Sequence, residues 1–380
     1  MHNPINEEKG NMHENCTATT AAYNDSVTTQ NTSTILQCDQ PGRAAYPLFI
    51  LIYSILFLVG LILNSVILWF HCCRPQRNVS RSLMIFLKNL TAADLLLCLS
   101  LPLRIIHYAT SSVTIHLIYC SFGASMLFLN MYGSIFFMGY IALNRYLKVV
   151  HPLRTCFLLT VRAACITSTT TWLLLLAAVM AYFIPLLKTY QRVKSADCSC
   201  EELHSQSVKL VYKAVHLCAL VTFLLVFLSM LFSYYSVYHK VLQAQQRQPY
   251  CSSSKKLLRS RRKMLMLICI FCISFIPYHI VRLPFAFQQE SNLAQSFYYP
   301  LQLTTMVSVL NVCLDPLVYY IFSKDFRDHL RLRLRNSRII SHKMNEDRRR
   351  SEHQQRTKDI KEEVSFSTTS RLGGNLDSEN

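Results

Sequence analysis

The sequence predicts an all-α membrane protein, a bundle of seven transmembrane helices, because its composition is apolar and its apolar residues form seven long runs. Of the 380 residues, 51% are hydrophobic and 16% are charged, whereas about a quarter of a typical soluble domain is charged. The formal net charge is nevertheless +18, so the basic residues must lie apart from the apolar runs. The sequence contains no glycine-rich phosphate loop and no His-Glu-x-x-His zinc motif, which argues against an enzyme.

Each of the seven apolar runs is long enough to cross a bilayer. A spanning helix needs about 20 apolar residues, because lipid offers no hydrogen-bond partner to an exposed backbone. The first run contains no charge, and no basic, cleavable leader precedes it, so we interpret it as a span rather than a signal peptide. The expected helices cover residues 46–70, 82–108, 117–148, 162–187, 207–241, 256–288 and 296–322.

Lys and Arg are concentrated on one side of the predicted membrane, above all in residues 240–263 and 324–361. This bias marks the cytoplasmic side, so we expect the C-terminus inside the cell and the N-terminus outside. Nucleic-acid binding is an alternative use for basic segments, but attraction to anionic lipid explains them better beside helix ends, and no nucleic-acid partner is expected. The outer segment, residues 1–45, offers glycosylation acceptors at Asn15, Asn24 and Asn31.

Five polar side chains lie at mid-depth of the predicted spans, where ionisable groups are costly and usually functional. Asn130 and Ser134 are four residues apart and share a helix face, as do Asn311 and Asp315. Together with Asp94, they supply oxygen ligands from three helices that could hold one small hard cation. The alternative is a hydrogen-bonded network between helices, which needs no ion, and the spacing is compatible with both.

Seven motifs fall in order on the predicted spans between residues 46 and 336. They are Gly60-Leu-Ile-Leu-Asn64, Asn89-Leu-Thr-Ala-Ala-Asp94, Cys120, Asn144-Arg145-Tyr146, Trp172, Phe271 with Pro277, and Asp315-Pro-Leu-Val-Tyr319. This series resembles the signature of rhodopsin-like, class A, G-protein-coupled receptors.

Further segments resemble one branch of that family. These are the run that begins at Phe128, Phe-Leu-Asn-Met-Tyr, the run from Pro277 to Arg282, and the Asp-Pro form of the last motif. They are similar to the purinergic branch, which holds the ADP-type nucleotide receptors, their orphan relatives and the lysophosphatidylserine receptor. The platelet-activating-factor receptor is a near neighbour. The resemblance implies a multi-pass protein of the plasma membrane.

The resemblance gives the polar groups inside the bundle a role. It implies that Asp94, Asn130, Ser134, Asn311 and Asp315 form the family's sodium pocket, with sodium as an allosteric modulator and no other cofactor. In that family, agonist binding outside swings the sixth span outwards and opens a crevice for a heterotrimeric G protein, here expected to be of the Gi class. The residues implied in coupling and switching are Asn144, Arg145, Tyr146, Tyr234, Phe271, Phe275, Pro277 and Tyr319.

The third span departs from the family pattern at the predicted cytoplasmic end. Asn144 replaces the usual acid before Arg145, and Leu257 replaces a frequent acid on the sixth span. A neutral amide cannot form the charge-assisted contact that a carboxylate would make with Arg145. We therefore expect raised basal signalling.

The expected ligand is an anionic small molecule. Leu127 stands where amine receptors place an Asp, which argues against a cationic amine. Arginine presents a planar fork suited to phosphate or carboxylate, and histidine can add a donor. The alternative for Arg104 and Arg282 is to snorkel to the outer membrane interface. The expected ligand-binding residues are Arg104, Phe128, His279, Arg282 and Lys188.

Nucleotide and lysophospholipid ligands both stay open. Leu301 stands where nucleotide receptors of the branch have a Lys on the seventh span. Arg104 matches an arginine of the lysophosphatidylserine receptor. The alternatives are a receptor for a lipid like platelet-activating factor and a receptor with high basal activity. A transporter is a remote alternative, because the sequence has no internal repeat.

The loops and the tail carry further predictions. By the predicted topology, five cysteines face the oxidising side, and we expect Cys120 to pair with Cys198 or Cys200. Residues 323–336 are expected to form a short amphipathic helix 8 on the inner leaflet. The remaining residues, 337–380, are expected to be a disordered tail that contacts receptor kinases and arrestin.

Overall fold

The computed structural model of the protein describes residues 45–73, 80–110, 112–151, 157–190, 206–247, 252–287 and 293–373. Within these ranges, 7 helical segments are long and apolar enough to span a membrane, as the sequence predicts. The α-helices are α1 (Tyr46–Cys73), α2 (Arg81–Ala109), α3 (Val113–Ile118), α4 (Ala124–Val150), α5 (Val161–Tyr190), α6 (Gln206–Arg247), α7 (Ser252–Phe287), α8 (Leu293–Val309), α9 (Asn311–Phe322) and α10 (Lys324–Gly373).

The third span is not the single helix that we expected over residues 117–148. It begins with α3 at Val113 and passes through a π-helical turn, Tyr119–Gly123, before α4. A Cβ on Gly123 would lie 2.6 Å from Cδ2 of Tyr119, so the missing side chain gives the Tyr119 ring its room. Hydropathy does not report this turn, because the apolarity of a run does not distinguish a π-helical turn from a regular α-helix.

The seventh span is also interrupted, at Leu310, between α8 and α9. Pro316 lies inside α9 and has no N–H to bond the carbonyl of Val312, four residues earlier. That carbonyl instead accepts a hydrogen bond from Nδ2 of Asn64 on α1, at 2.8 Å. The carbonyl that Pro316 leaves free therefore links the seventh span to the first by a hydrogen bond.

The third span lies at the centre of the bundle. Over its most apolar window, 61% of the residues are buried, the same share as in the seventh span, compared with 17% for the fifth span, in α6. Close packing depends locally on glycine, since a Cβ on Gly139 of α4 would lie 2.7 Å from Cγ1 of Val226 on α6. The main core cluster joins apolar residues of α2, α4, α6, α7 and α9. This arrangement sets the polar residues of the third span against α2 and α9.

The tail differs from the expectation of disorder after residue 336. The expected helix follows the seventh span, but α10 continues over 50 residues to Gly373 and not only to residue 336. Its exposed stretch is rich in helix-forming Arg, Lys, Glu and Gln, and ion pairs link Glu346 to Arg350 and Arg348 to Glu352, one turn apart. Such pairs stabilise a helix that is polar all round. The prediction of disorder is therefore corrected for residues 337–373.

Candidate functional site

A polar cluster lies inside the bundle between α2, α4 and α9. Its five members, Asp94, Asn130, Ser134, Asn311 and Asp315, are all buried. Nδ2 of Asn130 donates a hydrogen bond to Oδ1 of Asp94 at 3.0 Å, and Nδ2 of Asn311 donates to Oδ2 of Asp315 at 2.8 Å. The two carboxyl groups are near enough to interact electrostatically. The structure thus brings together all five residues that the sequence singled out for this cluster.

Several oxygens of this polar cluster have no hydrogen-bond partner. A buried oxygen without a partner is costly, unless a cation or a water molecule contacts it. Two carboxylates with amide and hydroxyl oxygens make the donor set that a small hard cation prefers. The oxygens that no protein donor contacts are Oδ2 of Asp94, Oδ1 of Asn311 and Oδ1 of Asp315, and the Ser134 hydroxyl lies beside Asp315.

Arg104, near the far end of α2, is enclosed by aromatic and polar side chains. Only 6% of its surface is exposed, so it does not snorkel to the interface. Its guanidinium lies over the rings of Tyr53 and Tyr119, at 4.6 and 5.5 Å, and its Nη2 donates to Oε1 of Gln302 at 3.3 Å. Tyr108 donates to the same oxygen at 2.8 Å. The Nε of Arg104 and the hydroxyl of Tyr53 remain without partners.

His279 is engaged on all sides within the bundle. Its ring stacks on Phe223 at 3.9 Å between centroids. Nδ1 lies 2.8 Å from the carbonyl of Phe275, an acceptor, so Nδ1 carries the proton and donates. Nε2 then accepts the hydrogen bond from the Tyr132 hydroxyl at 3.2 Å. In this arrangement both ring nitrogens are bonded and His279 positions Tyr132, and a direct ligand contact of His279 stays a prediction.

Arg282 lies one turn beyond His279 on α7. It donates a hydrogen bond to the Tyr212 hydroxyl and lies over the rings of Tyr212 and Phe285, at 5.3 and 5.5 Å. Phe128 packs on Tyr132 at 4.5 Å, next to the His279 contact. Arg282 therefore belongs with α6 and α7, whereas Arg104 belongs with α1, α2 and α8.

The sequence did not single out Tyr53, Tyr132, Tyr212 or Gln302, all of which contact the expected ligand-binding residues. Tyr132 was within reach of sequence reasoning, because it closes the run that begins at Phe128. Lys188 lies in α5, and its side chain is outside the part of the structure that is described.

At the opposite end of α2 and α4, Arg145 has an aromatic partner that the sequence did not suggest. Its guanidinium lies 4.8 Å from the ring of Phe322, and Nζ of Lys263 lies 5.5 Å from the same ring. Asn144 donates to Oγ of Ser82 at 3.1 Å, so its amide bonds to α2 rather than to Arg145. We call this the basic end of the bundle, defined by Asn144, Arg145, Phe322 and Lys263.

Aromatic side chains lie between the two ends. Phe271 stacks with Phe223 and Phe227 at 5.6 and 5.9 Å and meets Phe275 edge-on at 5.2 Å. Pro277 follows on the same helix. The Tyr319 ring packs against three other rings. The distances between ring centroids are 6.4 Å to Phe70, 4.7 Å to His71 and 5.1 Å to Phe326.

The remaining switch candidates pack at the basic end. Tyr234 and Tyr146 contact a small apolar cluster, centred on Val237, Val241 and Met264, to which Leu257 also belongs.

Cys120 is disulfide-bonded, and its partner lies outside the described residues. The other described cysteines are free, including Cys269 and Cys272, whose spacing is Cys-x-x-Cys. The described residues contain no group of three His, Cys, Asp or Glu side chains that could hold a metal. Pairing with Cys198 or Cys200 stays a prediction, as does glycosylation, because the residues concerned lie outside the described ranges: Cys198, Cys200, Asn15, Asn24 and Asn31.

Seven spans with buried polar groups inside and enclosed cations at both ends define a helical membrane bundle with a polar interior. The family described as "7 transmembrane receptor (rhodopsin family)" matches residues 63–319. The chain belongs to this family, so it is a G-protein-coupled receptor, a multi-pass protein of the plasma membrane and not an enzyme.

Three relatives indicate the branch of the family to which the chain is similar. The platelet-activating factor receptor of Cavia porcellus is 31% identical over 299 residues, 75% of this chain and 85% of that receptor. Purinoceptor 14 of Bos taurus is 29% identical over 286 residues, 74% of this chain and 83% of the relative. Purinoceptor 13 of Rattus norvegicus is 29% identical over 297 residues, 76% of this chain and 86% of that relative. These relatives confirm the purinergic branch with the platelet-activating factor receptor as a neighbour.

Proposed function

We propose that this receptor binds an extracellular anionic small molecule, of nucleotide or lysophospholipid type, and activates a heterotrimeric G protein in response. The observation that carries the proposal is the enclosed cation at Arg104, where Nε and the Tyr53 hydroxyl both lack a hydrogen-bond partner. An unpaired buried cation is costly, so an anion that enters this enclosure is stabilised. Relatives named for platelet-activating factor and for purines agree with a lipid or nucleotide ligand.

Arg282 supplies a second cation for the same ligand. It lies among aromatic rings that can pack on an apolar or planar part of a ligand. The charge of Arg282 acts electrostatically on Tyr132, and His279 holds the hydroxyl of Tyr132 in place. The ligand would thus find one cation at α2 and another at α7.

The experiment measures G-protein activation in membranes that contain the full chain, challenged with ADP, UDP-sugars, lysophosphatidylserine and platelet-activating factor. Loss of one charge-assisted contact costs about 1.5 to 3 kcal/mol, or roughly 10- to 150-fold in potency. We expect Arg282→Ala to shift the agonist curve by at least about tenfold on this scale. Lys213→Ala is a matched control. Lys213 is a cation next to Tyr212 in the sequence, and it is not among the residues that contact Arg104 or Arg282 in the described structure. A potent cationic agonist that Arg282→Ala does not affect would contradict the anion proposal.

Arg104→Ala separates the two ligand types. A lysophospholipid response should fall as far as it does in Arg282→Ala, because the phosphate would lie against Arg104. A nucleotide response should fall less, since Leu301 already lacks the seventh-span lysine of nucleotide receptors. A receptor for a lipid like platelet-activating factor is the alternative, and the identity to that receptor favours keeping it in the screen.

We also propose that sodium binds the polar cluster as an allosteric modulator. Asp94 and Asp315 would provide the negative charge, and the amide and hydroxyl oxygens would complete the donor set. The unpartnered oxygens of these residues support this fit. An ion that fits one packing of α2, α4 and α9 better than another shifts the receptor between its states.

Coupling to the Gi class rests on the resemblance to the purinergic branch. The test is sensitivity of the agonist response to pertussis toxin, and a response that the toxin leaves unchanged would overturn this assignment. Receptor kinases and arrestin would act on the tail, whose Ser and Thr residues between 365 and 370 can accept phosphate.

A further inference from the structure

Three cations lie near one another at the basic end, and the residues that the structure describes offer them no acidic partner. Arg145 and Lys148 lie on α4, and Lys263 lies on α7. The charge of Arg145 acts on both lysines. In the described part of the chain, no carboxylate forms an ion pair with any of the three. Like charges held together in this way repel, unless an anion lies between them.

The surroundings of the three cations do not neutralise them. The Phe322 ring attracts Arg145 and Lys263 but carries no net charge. Asn144 is neutral and bonded to Ser82, and the Nε of Arg145 is buried without a partner. The described residues therefore leave the electrostatic demand of the basic end unmet.

Neighbouring residues add to the positive charge. Arg259 and Arg327 act on Lys263 as further cations. Arg327 is held in place, because its Nη1 donates to the carbonyls of Tyr320 and Ile321 at 2.7 and 2.6 Å. A compact ligand with several negative charges matches this group better than a single carboxylate, and each phosphate monoester carries about −1.5 to −2 at neutral pH.

We propose that the basic end is a binding site for a multiply phosphorylated inositol group, held by Lys148, Lys263 and the guanidinium of Arg145. The site lies at the ends of the third and sixth spans, where the headgroups of the adjoining leaflet are within reach. Anionic lipids attract basic residues that flank membrane helices. The same phosphate chemistry would arise from a phosphoinositide lipid or from a free inositol phosphate.

The experiment uses the full-length receptor in phosphatidylcholine nanodiscs and follows the binding of a fluorescent phosphatidylinositol bisphosphate. Lys148→Gln/Lys263→Gln should weaken binding by about tenfold or more, since it removes two charge-assisted contacts. Arg262→Gln is the matched control, because Arg262 is an exposed cation next to Lys263 on α7 and should change binding by less than about twofold. Phosphatidylserine at the same total charge should compete poorly.

Two further arms make the outcome decisive. Lys148→Arg/Lys263→Arg keeps the charges and should keep binding, and Lys263→Gln alone serves if the double variant does not yield folded receptor. Free inositol trisphosphate that displaces the lipid would extend the site to soluble inositol phosphates, whereas failure to displace it would assign the site to the membrane lipid. Equal binding by Lys148→Gln/Lys263→Gln and Arg262→Gln would overturn the proposal, as would phosphatidylserine competing equally well.

Discussion

Replacing Phe322 by Leu should raise basal signalling, because Phe322 is the group that the structure places against Arg145. The ring contacts two cations, Arg145 at 4.8 Å and Lys263 at 5.5 Å, and joins the third, sixth and seventh spans. Each cation–π contact at a partly exposed site is worth about 0.5–1 kcal/mol. If both contacts are lost when the basic end opens, the closed state loses up to about 2 kcal/mol, or roughly 30-fold in the equilibrium between the states.

The assay is agonist-free GTPγS exchange in membranes with equal receptor surface density. Leucine retains much of the apolar contact of Phe322, which has only 3% of its surface exposed, so the receptor should still fold. Phe326→Leu is the matched control, because the Phe326 ring packs on other aromatic rings rather than on a cation. Its centroid lies 5.2 Å from that of Phe70 and 5.1 Å from that of Tyr319. Basal exchange that rises equally in both variants would show general loosening. Unchanged exchange in Phe322→Leu would refute the role given to the ring.

Three further variants test the other assignments. Asp94→Asn should abolish the reduction of agonist affinity by sodium, measured by agonist titration in sodium and in N-methylglucamine, and an agonist indifferent to sodium in the parent receptor would leave the cluster a hydrogen-bonded network. Asn144→Asp should lower basal exchange, because a carboxylate can pair with Arg145, and basal activity that is undetectable in the parent would show that other contacts suffice. Tyr53→Phe removes only the unpartnered hydroxyl. It should weaken agonist binding by about 0.5–1.5 kcal/mol, roughly 2- to 12-fold, with no loss of thermal stability, and unchanged agonist affinity would exclude a ligand contact there.

The seven spans follow from the sequence by itself, because crossing a bilayer demands a continuous apolar run, which is a local property. The polar cluster also follows, since Asn130 with Ser134 and Asn311 with Asp315 are each one helical turn apart. Because exposure of a polar group to lipid at mid-depth is costly, these side chains must face the interior of the bundle. Both predictions depend on spacing along one helix at a time.

Other features depend on how neighbouring helices pack, which spacing along one helix does not specify. The π-helical turn at Tyr119–Gly123 and the interruption at Leu310 both lie inside long apolar runs, and hydropathy does not mark either of them. The carbonyl that Pro316 frees could be matched to Asn64 only once α1 and α9 lay side by side.

The partners of the charged residues were decided by tertiary structure alone. Arg104 meets Gln302, which lies 198 residues further along the chain, and Arg145 meets a ring from the end of α9. Acids are the partners that the sequence suggests for Arg145, because opposite charges attract strongly and are easy to recognise by residue type. An aromatic ring also attracts a cation, although it carries no net charge, and only the folded bundle determines which ring lies within reach.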